Sequence, residues 1–150
     1  LVIRSQSLHN AAMLFAQARL SPVLIGQILA TAAHNDDTEY INSVREEYTK
    51  RRNLLVELLN EIPGVKCPKP KGAFYCVAEL PVEDADDFAQ WMLESFSDNG
   101  ETVMVAPASG FYSQPELGKK QVRIAYVLKS EDLKRSVELL KLALEKYKNK

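Results

Sequence analysis

The chain has 150 residues, 46% of them hydrophobic and 26% charged, so it is long enough to bury the core of an ordinary globular domain. Its 19 basic and 20 acidic residues are interleaved and give a formal net charge of −1, which excludes the basic footprint of a nucleic-acid-binding or anionic-membrane-binding protein. No apolar run approaches membrane-spanning length and no secretory signal pattern opens the sequence, so we expect a cytoplasmic protein.

Residues 1–35 predict a short strand followed by two apolar helices. The elements are, in order, a strand over 1–4, a helix over 8–18 begun by Ser5 or Ser7, and a helix over 22–33. Pro22 directly follows Ser21, which is typical of a first-turn proline behind an N-cap residue. Ala, Leu, Ile and Met occupy most of the circumference of both helices, which suits burial between other elements and not a water-facing surface.

From residue 36 onward the pattern is that of a self-contained layered domain. The predicted elements are a helix from Asp37 or Thr38 to Ile62, strands at 65–67 and 73–80, a helix over 84–98, strands at 102–105 and 121–127, and a helix from Ser130. Each helix carries an apolar stripe, such as Ala85, Phe88, Ala89, Met92 and Phe96, or Leu133, Val137, Leu140 and Leu144. Three such helices with a small mixed sheet predict a two-layer α+β fold.

The two cysteines, Cys67 and Cys76, do not have the spacing of metal ligands, and neither His9 nor His34 is near them in sequence. Two thiols in a chain without a secretory signal favour reduced residues in the core or in a strand. The sequence is also compatible with a disulfide between the two cysteines.

Arg123 stands inside an otherwise apolar, β-branched and aromatic run, Gln-Val-Arg-Ile-Ala-Tyr-Val (121–127), which predicts a buried strand. A buried guanidinium requires an anionic partner, because leaving it unpaired costs about 3–5 kcal/mol. The partner is either an internal acid or an anionic ligand, and a planar guanidinium suits a carboxylate ligand. The alternative is a strand-end arginine that reaches solvent or pairs with a nearby glutamate.

Several motifs occur in a specific order along the chain. They are Arg-Glu-Glu-Tyr-Thr-Lys-Arg-Arg (45–52), Pro-Lys-Gly-Ala-Phe-Tyr (70–75), Val-Met-Val-Ala-Pro-Ala-Ser-Gly-Phe-Tyr (103–112), Gly118 and Arg123. This succession resembles the C-terminal part of the fold-type-I pyridoxal-phosphate aminotransferases. The segment Ala-Pro-Ala-Ser-Gly-Phe-Tyr (106–112) is most similar to the corresponding segment of a bacterial aspartate aminotransferase subgroup.

The resemblance implies an assignment for each part of the chain. Residues 1–35 would be the end of the large cofactor-binding domain, and residues 36–150 the small α+β domain. Arg123 matches the strand arginine that binds the substrate α-carboxylate in that family. The loop over 106–112 then either lines the substrate entrance or is only a connection, and Phe74, Tyr75 and Trp91 are expected to pack in the core, the sheet or a helix.

Two further residues are substrate-binding candidates on the same resemblance. Arg19 lies near where some dicarboxylate-specific members present a residue to the distal carboxylate, but a helix-terminal cation facing the last carbonyls explains it as well. Ser21 matches a polar position close to the substrate, and an N-cap role explains it equally well.

The resemblance also implies the chemistry. The cofactor would be pyridoxal phosphate, and the reaction would transfer an amino group between an amino acid, most simply aspartate, and a 2-oxo acid. The enzyme would be a homodimer. No lysine matches the setting of the Schiff-base lysine, since Lys119, Lys120 and Lys129 have polar surroundings in sequence. We therefore expect a C-terminal fragment that is inactive alone. The alternative is a stand-alone, non-catalytic α+β module that binds small carboxylates.

Overall fold

The structure is a computed structural model that describes residues 2–34 and 38–148. The chain divides into two units, Leu1–Ile41 and Asn42–Lys150, and the boundary falls in the first turn of a long helix. The assignment of residues 1–35 and 36–150 to two domains of a larger enzyme stays a prediction.

The first unit contains the two predicted helices. Helix α1 spans Gln6–Arg19 and helix α2 spans Leu24–His34, so both are confirmed with ends moved by one or two residues. The predicted strand is wrong for residues 2–4, because no described segment lies alongside them to complete a ladder. Neither helix has a buried side chain, so the apolar surface that suits burial is not covered within this chain.

None of the described helices has, by itself, the length and hydropathy that a membrane span requires. The first two helices reach them only when taken together, as a pair bent by 108°.

The second unit combines three long helices with a small sheet. Its elements are helix α3 (Thr38–Asn60, which begins in the first unit), strand β1 (Tyr75–Glu79), helix α4 (Ala85–Ser95), strand β2 (Ala106–Pro107), short 3-10 turns at Ser109–Phe111 and Pro115–Gly118, strand β3 (Gln121–Ala125) and helix α5 (Ser130–Tyr147). The strand order is β1-β3-β2 and both pairings are antiparallel, so the predicted mixed sheet is corrected to an antiparallel one. The proposed cap residue Asp37 lies outside the described residues.

Two predicted strands do not form as expected. The segment over 65–67 contributes only one bridge, between Lys66 and Glu79. The strand expected at 102–105 is displaced to Ala106–Pro107, where the chain reaches β3. Val105 instead packs into the core, so its β-branched side chain serves burial and not strand pairing. Strand β1 begins two residues late, because Ala73 has a φ of 64°, which breaks the extended conformation.

The core lies between the helices and one face of the sheet. Cys76, Ala78 and Val122 project from β1 and β3 into it, and the predicted apolar stripes of α4 and α5 meet them there. These stripes are confirmed, since Phe88, Met92, Leu133 and Leu140 are almost fully buried. On α3, Ile41 near the N-terminus is exposed, whereas Leu55 and Leu59 are buried in the core.

Both cysteines are free and buried, as predicted. A hydrogen bond from the Cys76 thiol lowers the pKa of Cys67. The same interaction, together with burial, raises the pKa of Cys76. The pair therefore belongs to the core, with Cys76 held as a neutral thiol.

Candidate functional site

Arg123 lies at the middle of β3, the central strand of the sheet, opposite Val77 on one side and Ala106 on the other. Its neighbour Val122 is fully buried, whereas Arg123 is exposed. Successive side chains of a strand point to opposite faces, and the helices cover only the Val122 face. The prediction that Arg123 is buried is therefore wrong: it lies on the open face of the sheet.

Two aromatic rings flank the Arg123 guanidinium. Its central carbon lies 5.1 Å from the centre of the Tyr75 ring and 4.8 Å from the centre of the Phe111 ring. Tyr75 pairs with Ala125 across the sheet, so it is the diagonal neighbour of Arg123 on the same face. Both distances are within the range of a cation–π interaction.

Within the described part of the chain, the Arg123 guanidinium forms no hydrogen bond and no ion pair, since the strand pairing uses only its backbone. Arg135 shows the contrasting arrangement, because its nitrogens contact three carboxylates, those of Asp98, Glu101 and Glu138, at 2.7, 2.8 and 2.9 Å. These carboxylates raise the pKa of Arg135. Arg135 is thus committed to internal partners, whereas the N–H donors of Arg123 are available to a ligand.

The loop that carries Phe111 is anchored at three points. The Ser109 hydroxyl donates a hydrogen bond of 2.7 Å to the Asp86 carboxylate at the start of α4, and the Tyr112 hydroxyl donates one of 2.7 Å to the side chain of Gln121. A Cβ at Gly118 would lie 2.5 Å from the Ala108 carbonyl oxygen, so only glycine permits this close approach. The loop is thus a built element beside Arg123 and not a bare connection.

The segment before Tyr75 is held by Tyr126. Its hydroxyl donates to the carbonyl oxygen of Ala73 at 2.8 Å, and its backbone N–H donates to that of Phe74 at 2.9 Å. Burial is the main cause that raises the pKa of Tyr126. Phe74 and Tyr75 themselves are exposed, which corrects the expectation of a core position, although Tyr75 lies in the sheet as predicted.

Arg19 and Ser21 lie in the first unit and Arg123 in the second. Arg19 is the last residue of α1 and is exposed, which fits the helix-terminal interpretation. Ser21 is exposed, and α2 begins at Leu24 with its first backbone bond from Gln27 to Val23, so Ser21 does not cap that helix. The substrate-binding roles of both residues stay predictions.

The described lysines are all accessible to solvent. Every described lysine is exposed except Lys119, which is half-buried. A cavity of about 250 Å³ between α3, α5 and β3 is lined almost entirely by aliphatic side chains and contains no lysine. A Schiff-base lysine works in an enclosed site, and no described lysine is enclosed in this chain.

Tyr75 and Phe111 are the residues of this site that the sequence did not reveal as contacts of Arg123. Period-two alternation along β1 places Tyr75 on the Arg123 face once the register is known. No sequence signal places Phe111 there, because its position depends on the path of an irregular loop.

Comparison with known proteins gives consistent matches. Residues 1–140 match the family model described as "Aminotransferase class I and II". An aspartate aminotransferase of Bacillus subtilis (strain 168) is 34% identical over 134 residues, which cover 85% of this chain and 32% of that protein. The chain thus spans about a third of the length of this curated relative.

Solved structures agree with this comparison. The aromatic aminotransferase from Pyrococcus horikoshii OT3 superposes with a TM-score of 0.66 at 31% identity and covers 79% of this chain and 31% of its own. The alanine aminotransferase from Pyrococcus furiosus gives a TM-score of 0.75 over 88% of this chain and 32% of its own. At 24% identity, that likeness concerns the fold alone.

Proposed function

The chain belongs to the class I and II aminotransferase family, and we propose that it forms the C-terminal part of a pyridoxal-phosphate-dependent aminotransferase. In this proposal residues 36–150 are the small domain and residues 1–35 the end of the large cofactor-binding domain. The residues that hold the cofactor then lie in the remaining two thirds of the enzyme, which fits the exposure of the lysines described here.

The proposed reaction moves an amino group between an amino acid and a 2-oxo acid. Aspartate is the proposed amino donor, and the support is the name of the Bacillus subtilis relative. Arg123 binds the α-carboxylate, Arg19 the distal carboxylate of a dicarboxylic substrate, and Ser21 lies close to the substrate. The complete enzyme is proposed to be a cytoplasmic homodimer, which sedimentation and cell fractionation would test.

The observation that carries the proposal is the guanidinium of Arg123, which lies between two rings and pairs with no carboxylate among the described residues. A carboxylate accepts two parallel hydrogen bonds from such a fork, which fixes both its position and its plane. The bound cofactor supplies the electron sink for the bond that breaks at Cα. Arg123 sets the rotation of the substrate about Cα, and orientation of this kind is worth several kcal/mol of barrier.

Replacing Arg123 tests the function in the complete enzyme. Arg123→Lys keeps the charge and loses the two-point geometry, so kcat/KM should fall at least about tenfold for amino-acid and oxo-acid substrates alike. Cofactor binding and the melting temperature should not change, because Arg123 is exposed and has no ion pair with any described residue. Arg135→Lys is the matched control, since that arginine serves internal carboxylates and its loss should leave kcat/KM unchanged. Unchanged kcat/KM in Arg123→Lys would refute the assignment, and a lower melting temperature in that variant would then indicate a structural role.

We also propose that the 150 residues alone are inactive. Borohydride reduction after incubation with pyridoxal phosphate should give no stoichiometric adduct at one defined lysine, because no described lysine lies in an enclosed site. A stable adduct on one defined lysine would contradict this.

A non-catalytic carboxylate-binding module is the second candidate function. It is favoured by the fact that Arg123, Tyr75 and Phe111 all belong to the single unit Asn42–Lys150. Titration of this chain with succinate distinguishes the module from the enzyme fragment. If this chain binds succinate without the rest of the enzyme, the result supports the module.

A further inference from the structure

We propose that Tyr75 and Phe111 are positioning residues, which hold the Arg123 guanidinium in place and leave its N–H donors free for a substrate carboxylate. The inference rests on the proposed function, since it concerns the same arginine. It adds two residues, one from the sheet and one from the loop, that act through Arg123 without touching the substrate.

Aromatic partners explain how the Arg123 guanidinium is held while its N–H donors stay free. An acidic partner would occupy the guanidinium donors and neutralise its charge, as Asp98 and Glu101 do at Arg135. An aromatic ring attracts the cation through its π quadrupole and uses none of the five N–H groups. Rings 5.1 and 4.8 Å away therefore restrain the cation while its hydrogen-bonding capacity stays available.

The two rings come from separately anchored elements, so the restraint is built before any ligand arrives. Tyr75 is fixed by the β1–β3 pairing and by the Tyr126 bonds to the segment before it. Phe111 is fixed by the bonds on either side of it, from Ser109 to Asp86 and from Tyr112 to Gln121. A long, flexible arginine side chain that is already restrained loses less conformational entropy on binding, which strengthens the binding of its ligand.

The test uses the complete enzyme and the variant Phe111→Leu, which removes the ring and keeps an apolar side chain. KM for aspartate and for oxaloacetate should both rise about two- to thirty-fold, the range of one cation–π contact, and kcat should change less than KM. Phe111→Tyr keeps the ring and should restore KM. Leu117→Ala, at an exposed residue of the same loop, is the matched control and should leave both constants unchanged.

A double-mutant cycle separates positioning from a general loop effect. Succinate affinity, measured by calorimetry, should fall on Phe111→Leu in the wild-type background and should change less than about twofold in an Arg123→Ala background. An equal loss in both backgrounds, or no loss in either, overturns the inference. Tyr75→Leu with Tyr75→Phe repeats the cycle at the other ring and decides the question if Phe111→Leu does not fold.

The same measurements distinguish this inference from the proposed function. If Arg123→Lys leaves kcat/KM unchanged, the carboxylate role of Arg123 fails and the positioning inference falls with it. If Arg123→Lys lowers kcat/KM and Phe111→Leu does not, only the positioning inference is overturned.

Discussion

Helices α1 and α2 contain the same kinds of apolar side chain as the second unit, but these side chains are exposed in the two helices and buried in the core of the second unit. Leu14, Phe15 and Leu24 are exposed by 68, 80 and 68%, whereas Phe88 and Met92 of α4 are fully buried. Apolar composition therefore indicates that a segment is suited to burial against other residues. It does not show whether those residues belong to this chain.

The arrangement of the apolar residues explains the difference. Helices α4 and α5 each have one apolar stripe and a polar remainder, so a single sheet face satisfies them. Helix α2 is apolar around most of its circumference and has no buried side chain. Extended apolar surface of this kind is typical of an interface, and in the proposed enzyme the missing cover is the rest of the cofactor-binding domain.

The largest expected effect compares a buried with an exposed phenylalanine. Phe88→Ala should lower the free energy of unfolding by about 3–5 kcal/mol, because it leaves a cavity beneath α4. Phe15→Ala in α1 should change it by less than about 0.5 kcal/mol. Urea unfolding followed by circular dichroism measures both. Similar losses of unfolding free energy in the two variants would show that α1 is packed in solution and does not differ from α4 in this respect.

An intermediate effect compares two glycines. Gly118→Ala should destabilise the second unit by about 1–3 kcal/mol, because the new Cβ meets the Ala108 carbonyl oxygen at 2.5 Å. Gly26→Ala in α2 has open space and should increase helicity, with a gain of about 0.5–1 kcal/mol in helix propensity. Gly110→Ala, in the same loop with nothing within 4 Å, is the control for Gly118. If Gly118→Ala is as stable as Gly110→Ala, the close approach is not maintained in solution.

The smallest effect compares two helix caps. The Asp84 carboxylate accepts hydrogen bonds from the N–H groups of Asp86 and Asp87 at 2.8 and 3.3 Å, so Asp84→Ala should cost about 1 kcal/mol. Ser5 precedes α1 without a side-chain cap bond, since its hydroxyl lies 3.0 Å from that of Ser7. Ser5→Ala should therefore leave thermal unfolding unchanged, and a loss equal to that of Asp84→Ala would show that Ser5 caps α1 in solution.

Prediction from sequence succeeded where a local pattern and its tertiary role coincide. The stripes of α4 and α5 are confirmed because a single helix face is both the pattern and the contact surface. It failed at residues 102–105, where β-branched residues favour a strand but the pairing with β3 forms only at Ala106 and Pro107. Strand pairing depends on which segments meet, and no local preference contains that information.

The candidate site divides in the same way. The amino-acid sequence by itself determined that Arg123 is an isolated cation within an apolar strand, because residue type and neighbours are properties of the chain. Only the tertiary structure decided that its face of the sheet is open, that Tyr75 lies diagonal to it, and that the loop brings Phe111 to 4.8 Å. The physical reason is that exposure and ring contacts arise from the register of three strands and the anchoring of a loop. Those interactions join residues far apart in the sequence, where no local pattern records them.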